Sequence, residues 1–396
     1  MIPLSEPNIS GNEGQYLQEC VTSTFVSTVG KFVNQFEVMV ADYNQASHAI
    51  ATSSGTAALH IALIQAGVKP TDIVISTSFT FIATTNAIKY CGALPWFIDI
   101  DPFSWNLNPE LLQTHIEEFC DVRDGELFHT SSNRRVAAVL PVHVLGLPCD
   151  MRKIHEICRR YKLPLIADAA AALGAYFTYE NTKEPLGKYS DMSCFSFNGN
   201  KIVTSGGGGA VITASQDRAL HLKHLSTTAR CTPDYIHDQV GYNYRMTNLE
   251  AAVGCAQMEQ LDIFLARKIE IQNIYNRFIE EHHQVLDKFP TVAYAKGNNW
   301  LSGVVFKKEI GNQEKIEHRL SQIRKVFREE QIDVRSFWVP THLQAPHRDS
   351  LYTSLFCAED VYYRIMPLPC STTITNAQLD LVLQVLTRCL ETYVYH

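Results

Sequence analysis

From residue 49 to about 215 the chain alternates between short apolar runs and helix-like stretches. The apolar runs lie in HAIATSSG, DIVISTSF, LPWFIDID, RVAAVLPVHVLG, LPLIADAA, SDMSCFSFN and GGAVIT. Between them come TAALHIALIQAG, TNAIKYCG and DMRKIHEICRRYK, which carry helical periodicity. Apolar runs of about four to eight residues separated by helices indicate a mainly parallel sheet covered on both faces by helices. Sheets of this kind bind ligands beyond the carboxyl ends of their strands, so those ends are where chemistry is to be sought.

The remainder of the chain frames this sheet. Residues 1–48 form an N-terminal segment with a helix expected from about Gly30 to Tyr43, its face made by Phe32, Phe36, Met39 and Val40. Such a segment can lie across an active-site mouth or a partner subunit. Residues 49–250 make the large domain. A long helix is expected from about Thr247 to His282, giving a linking helix within 251–290. Residues 291–396 read as a smaller C-terminal α/β domain, with strands at LSGVVF and IDVRSFW and a closing helix from Asn376 to about Tyr393.

Composition narrows the function classes. With 46% hydrophobic residues the chain can build a large core, and a net charge of -7 argues against a nucleic-acid partner. Eleven cysteines occur singly, without a C-x-x-C pair, as expected of reduced thiols in a cytoplasmic protein. Neither a signal peptide nor a membrane span is expected, and no metal site is read from the spacing.

Four segments fall at successive strand ends. In LPLIADAAAALGA an apolar strand ends in Asp168, and a buried carboxylate is costly unless a cation meets it. A protonated pyridine nitrogen is such a cation, and the pair would keep the ring of pyridoxal phosphate (PLP) an electron sink. A helix N-cap uses the same letter. In SCFSFNGNKIVTSGGGGAVIT, Lys201 stands between a strand and four glycines, Gly206 to Gly209, where a confined amine can lose its proton and attack a carbonyl. A surface lysine beside a flexible turn reads the same way. Ser196, five residues earlier, offers a hydroxyl to a phosphate. In ATSSGTAALH a helix begins at Ser54–Thr56, so the amides of Thr56 and Ala57 and the Thr56 hydroxyl can receive an anion, as they can also serve an ordinary cap. In FTFIATTNA, Phe81 can stack on a flat ring or simply fill the core.

The same segments carry a family resemblance. Together with IPLSEPNISGNE, STVGKFVNQFE, PVHVLGLPCDM and the long block HDQVGYNYRMTNLEAAVGCAQMEQL, they resemble the DegT-type sugar aminotransferases over nearly the whole chain. The opening residues and FNGNK are most similar to the LegC-like subgroup. The resemblance implies an α/β PLP fold type I, with a mainly parallel seven-stranded-type sheet in the large domain. It implies that Lys201 carries PLP as a Schiff base, Asp168 pairs with the pyridine nitrogen, Phe81 stacks on the ring, and Thr56, Ala57 and Ser196 hold the phosphate. Asn243 would reach the phosphate of the neighbouring subunit in a homodimer with shared active sites. Members of the family usually carry Gln, His or Glu three residues after the aspartate, where this chain has Ala171, so a hydrogen bond near the cofactor's phenolic oxygen is missing.

The implied reaction is a transamination with Lys201 as proton shuttle. The amino group moves from L-glutamate, which leaves as 2-oxoglutarate, to a nucleotide-linked 4-keto-6-deoxy sugar. UDP-2-acetamido-2,6-dideoxy-hexos-4-ulose is the first choice, and GDP- or dTDP-linked sugars are the alternatives. Lys31, Arg245 and His342 are candidates for the substrate pocket, each with an ordinary surface or packing role as its rival. Two other classes compete: a sugar dehydratase, in which histidine replaces the lysine, and a PLP-binding regulator without catalysis. Lys201 argues against the first, while Ala171 gives the second some support.

Overall fold

The computed structural model describes residues 1–395. Seven strands build the central sheet: β1 (His48–Thr52), β2 (Ile73–Ser76), β3 (Leu94–Phe97), β4 (Arg134–Val139), β5 (Ile166–Asp168), β6 (Met192–Ser196) and β7 (Gly209–Thr213). Their spatial order is β1-β7-β6-β5-β4-β2-β3, with β5 joined to β4 by the parallel bridges Val139 to Leu165 and Val142 to Asp168. Only β7 runs against the rest, pairing antiparallel with β1 and β6. The pairs β5–β6, β2–β4 and β2–β3 are parallel. The mainly parallel sheet expected from the alternation is formed, and three short strands extend it: Leu351–Tyr352 pairs parallel with β3, and the hairpin Cys120–Arg123/Glu126–His129 pairs antiparallel with the start of β4.

Burial on both sheet faces explains why the strands read as unbroken apolar runs: every residue of β2, β5 and β7 is buried. The helix Gly55–Gln65 is buried along eight of its eleven residues, and Met151–Tyr161 turns Met151, Ile154, Ile157 and Cys158 inward. The chain order places the ends of β1, β2, β5 and β6 around one opening, the point toward which the sequence signals converge.

The N-terminal helix forms over Lys31–Tyr43 and buries Phe32, Phe36 and Val40. It packs on the helix Asn248–Met258, where Gly254 leaves room for the Phe36 ring; a Cβ there would stand 2.6 Å from that ring. The Asn248 side chain ties the two together, accepting from the Phe32 amide at 3.0 Å and donating to the Phe25 carbonyl at 2.7 Å.

Two elements differ from expectation. The helix expected from Thr247 to His282 is two helices, Asn248–Met258 and Leu261–Glu281. No Gly or Pro marks the break; at this point the Glu259 carboxylate accepts hydrogen bonds from Tyr16 at 2.6 Å and Asn12 at 2.8 Å, contacts supplied by the N-terminal segment. The segment IDVRSFW forms no strand beyond one bridge between Ile2 and Ile332. Its end turns toward the large domain, where Phe337 packs on Phe79 with ring centroids 5.3 Å apart. LSGVVF does form a strand at Ser302–Phe306, antiparallel to Leu286–Asp287 and Ile365–Leu368, and the closing helix spans Asn376–Tyr393. Among the described residues no helix is long and apolar enough to cross a membrane.

Candidate active site

Asp168 is the last residue of β5 and is 4% exposed. One carboxylate oxygen accepts from the Thr84 hydroxyl at 2.7 Å, the other from the Ala170 amide at 3.0 Å. Thr84 lies in the first turn of the helix Ile82–Tyr90, and Thr80 supports it with a hydroxyl 2.7 Å away. Burial raises the Asp168 carboxyl above its ordinary range, while Thr84, Ala170 and the Lys201 charge pull it back.

Lys201 sits in the turn after β6, its amide donating to the Asn198 carbonyl at 3.0 Å. Its amine lies over the indole ring of Trp300, 3.9 Å from the centroid. Burial pushes the amine down to about 8, with Asp168 acting in the opposite direction. About a tenth of the amine is thereby free at pH 7, far more than for an ordinary lysine.

Both groups open on a cavity of about 240 Å³. Of the residues singled out from the sequence, Thr56, Phe81, Asp168, Ala171, Ser196 and Lys201 share its walls. Ala57 stands just behind the wall, its amide capped by the Ser54 hydroxyl at 3.0 Å. Four others lie outside the cavity. Lys31 pairs on the surface with Glu19. Arg245 bridges to Thr52 in irregular backbone, and Asn243 is exposed on its own chain. His342 is 3% exposed and points at Glu359, 3.0 Å away, with its ring against Tyr352. It is buried among its neighbours and does not line the cavity.

Several wall residues carried no sequence signal. Trp300 and Trp338 come from the C-terminal third, and Trp338 lies 6.0 Å from the Phe81 ring at 58°. His143 follows β4; the Cys149 amide donates to its Nδ1 at 3.1 Å, leaving a buried Nε2 without a partner. Burial pushes this imidazole down to about 3, so it stays neutral and keeps its proton on Nε2. Thr84 alone had a legible cue, standing one helical turn beyond Phe81 in FTFIATTNA.

These walls fit PLP. The carboxylate has only neutral donors beside it apart from the lysine, and the ring nitrogen of PLP is the missing cation. On the wall formed by Thr56 and Ser196, Gly55 lets the helix start approach Ser196; a Cβ at Gly55 would stand 2.7 Å from the Ser196 Cβ. Gly208, at φ +86°, turns the loop after Lys201 back along the same wall.

The fold and this site define the class: a PLP-dependent aminotransferase of fold type I. Within it, the chain belongs to the DegT/DnrJ/EryC1/StrS aminotransferase family, which it matches over residues 7–387. It is 34% identical over 385 residues to the GDP-perosamine synthase of Escherichia coli O157:H7, covering 96% of this chain and 95% of that one. It is 32% identical over 285 residues to the UDP-4-amino-4,6-dideoxy-N-acetyl-beta-L-altrosamine transaminase of Campylobacter jejuni, covering 71% and 70% of the two chains. Among solved structures, the putative sugar aminotransferase Spr1654 of Streptococcus pneumoniae superposes with a TM-score of 0.87 at 19% identity, covering 99% of this chain and 100% of that one. At that identity the likeness is one of fold.

Proposed function

We propose that this chain transfers an amino group from L-glutamate to a nucleotide-linked 4-keto-6-deoxy sugar. The sugar-nucleotide class follows from the relatives, whose names place them in amino-sugar synthesis. The observation that carries the catalytic reading is the meeting of a buried amine at about 8 with a buried carboxylate across one cavity.

In this reading each residue has one task. Asp168 holds a proton on the ring nitrogen, and Thr84 and the Ala170 amide orient that carboxylate. Thr56, Ser196 and the Ala57 amide, released from Ser54, bind the phosphate at the positive end of the helix Gly55–Gln65. Phe81 covers one face of the ring, and with Trp338 keeps water from the reacting atoms. PLP, when bound, supplies the electron sink that lets a Cα–H bond ionise. Lys201, with its amine free, would carry the proton between the donor α-carbon and the cofactor C4′ atom. The same proton path runs in reverse with the sugar.

Two readings of the nucleotide stand. The LegC-like opening and FNGNK favour a UDP-2-acetamido sugar. The GDP reading is favoured by the GDP-perosamine synthase that matches along 96% of this chain. A panel of UDP-, GDP- and dTDP-linked 4-keto sugars, incubated with enzyme, PLP and glutamate and read by mass spectrometry, separates them. Turnover of none of these sugars would overturn the assignment.

A homodimer completes the reading. Asn243 is exposed, and near it Tyr235, Ile236 and Val240 expose 75%, 58% and 78% of their surface, an apolar patch suited to a partner copy. Asn243 would then serve the partner's phosphate. A cytoplasmic location agrees with the eleven free cysteines.

A further inference from the structure

We infer that Trp300 is the positioning residue for the free amine of Lys201, holding it against the indole face whenever the lysine is not bonded to the cofactor. The inference rests on Lys201 being the cofactor lysine and goes beyond it, because it concerns where the released amine waits and how its proton affinity is set.

The geometry is specific. Lys201 Nζ lies 3.9 Å from the indole centroid, and the same indole donates from Nε1 to the carbonyl of Asn200, the residue before the lysine, at 2.7 Å. One side chain therefore grips both the turn that carries Lys201 and the end of its side chain. The backbone that carries the ring is itself held: the Trp300 amide donates to Asn298 Oδ1 at 3.0 Å. Asn298 Nδ2 in turn donates to the carbonyls of Ala171 at 2.7 Å and Leu173 at 2.8 Å, in the turn that follows Asp168. Segment 298–300 thus spans the two halves of the site, and it does so from the C-terminal unit.

The chemistry follows from two opposed forces. Burial strips water from the ammonium and favours the neutral amine. The electron-rich indole face, like Asp168, favours the ammonium. A proton shuttle has to hold a proton as readily as it gives one up. The indole face restores part of the proton affinity that burial removes, without a second charge in the cavity. It also limits the flexible four-carbon stem to one resting position.

The test reads the amine itself. In the full-length chain loaded with pyridoxamine 5′-phosphate, which leaves Lys201 free, the rate of Lys201 modification by an amine-selective acylating reagent is followed against pH by peptide mass spectrometry. Trp300→Phe, which keeps the bulk and weakens the π face, should lower the midpoint by about half a pH unit, and Trp300→Leu by about one. Trp338→Phe, on the same wall but away from the amine, should leave it in place. A midpoint unmoved or raised in Trp300→Phe overturns the inference, since a purely structural tryptophan would alter stability or overall rate without lowering that midpoint. If the Leu variant fails to fold, the Phe and Tyr variants carry the test. Borohydride fixation of PLP on Lys201 in the wild type checks the underlying reading separately, so a failure of one is not mistaken for a failure of the other.

Discussion

The hydroxyl of Thr84 donates to the buried carboxylate of Asp168 at 2.7 Å, joining the first turn of one helix to the end of the strand β5. This bond lowers the proton affinity of a carboxyl that burial raises. In the proposed site this bond favours the charged carboxylate that would pair with the cofactor's ring nitrogen. Thr84→Val keeps the shape and removes the donor, and a hydrogen bond to a charged group is worth about 1.5 kcal/mol. PLP affinity, followed by absorbance titration, should fall about tenfold. Unchanged affinity would mean that the Ala170 amide suffices.

Asp168→Asn should separate stability from binding. With its folded carboxyl raised by burial, Asp168 contributes stability while protonated and loses that contribution as pH rises through its folded value, so at neutral pH the ionised group is a liability to the cofactor-free chain. The amide oxygen still accepts from the Ala170 amide, and the Thr84 hydroxyl turns to accept from the new amide nitrogen, without the charge. Calorimetry should show the cofactor-free variant melting about 1–2 °C higher near pH 7. PLP affinity should fall by about a hundredfold or more, because the ring nitrogen loses its counter-charge.

Attachment of PLP to the cofactor-free chain needs the neutral amine of Lys201, which burial pushes down to about 8. The rate of attachment, read by stopped-flow absorbance, should rise about tenfold per pH unit below 8 and level off above it. A rise continuing to pH 10 would place the amine in water. Lys201→Ala should abolish turnover while leaving the melting temperature within a few degrees.

Ala171 lies on the cavity wall with its carbonyl held by Asn298 at 2.7 Å. The backbone is thus positioned and only the side-chain bond is absent. Ala171→Gln should raise kcat/KM several-fold by supplying a donor near the phenolic oxygen. No change would show that the site operates without that bond.

Asn298→Ala should be the most damaging of the structural changes. It leaves the carbonyls of Ala171 and Leu173 and the amide of Trp300 without their partner in a buried place, a cost of about 2 kcal/mol or more. The cofactor-loaded and cofactor-free chains should both lose melting temperature.

Much of this protein could be read along the chain. Alternating apolar runs and helices reflect burial on both faces of a parallel sheet, a local pattern that holds whatever the loops do. Asp168, Ser196, Lys201 and Thr56 stand at or just beyond the ends of these elements, where connectivity alone gathers ligand-binding groups, and they share one cavity. Sequence periodicity gave no sign that the helix breaks near residue 259, where Glu259 meets Asn12 and Tyr16 from a segment some 240 residues earlier.

The tertiary structure decided which way side chains face and which distant residues complete the site. Lys31 and His342 have the right chemistry for a phosphate or a sugar, yet one is drawn to Glu19 and the other to Glu359, because a side chain follows its nearest partner in space. Trp300 and Trp338 enter the site from the C-terminal third and Asn298 braces the turn after Asp168 from behind, and nothing near them in the chain distinguishes them from core residues. Position along a strand is a local property, set by hydrogen bonding and hydrophobic period. The meeting of Lys201 with Trp300, 99 residues apart, is a property of long-range packing, and packing is settled only when the whole chain has folded.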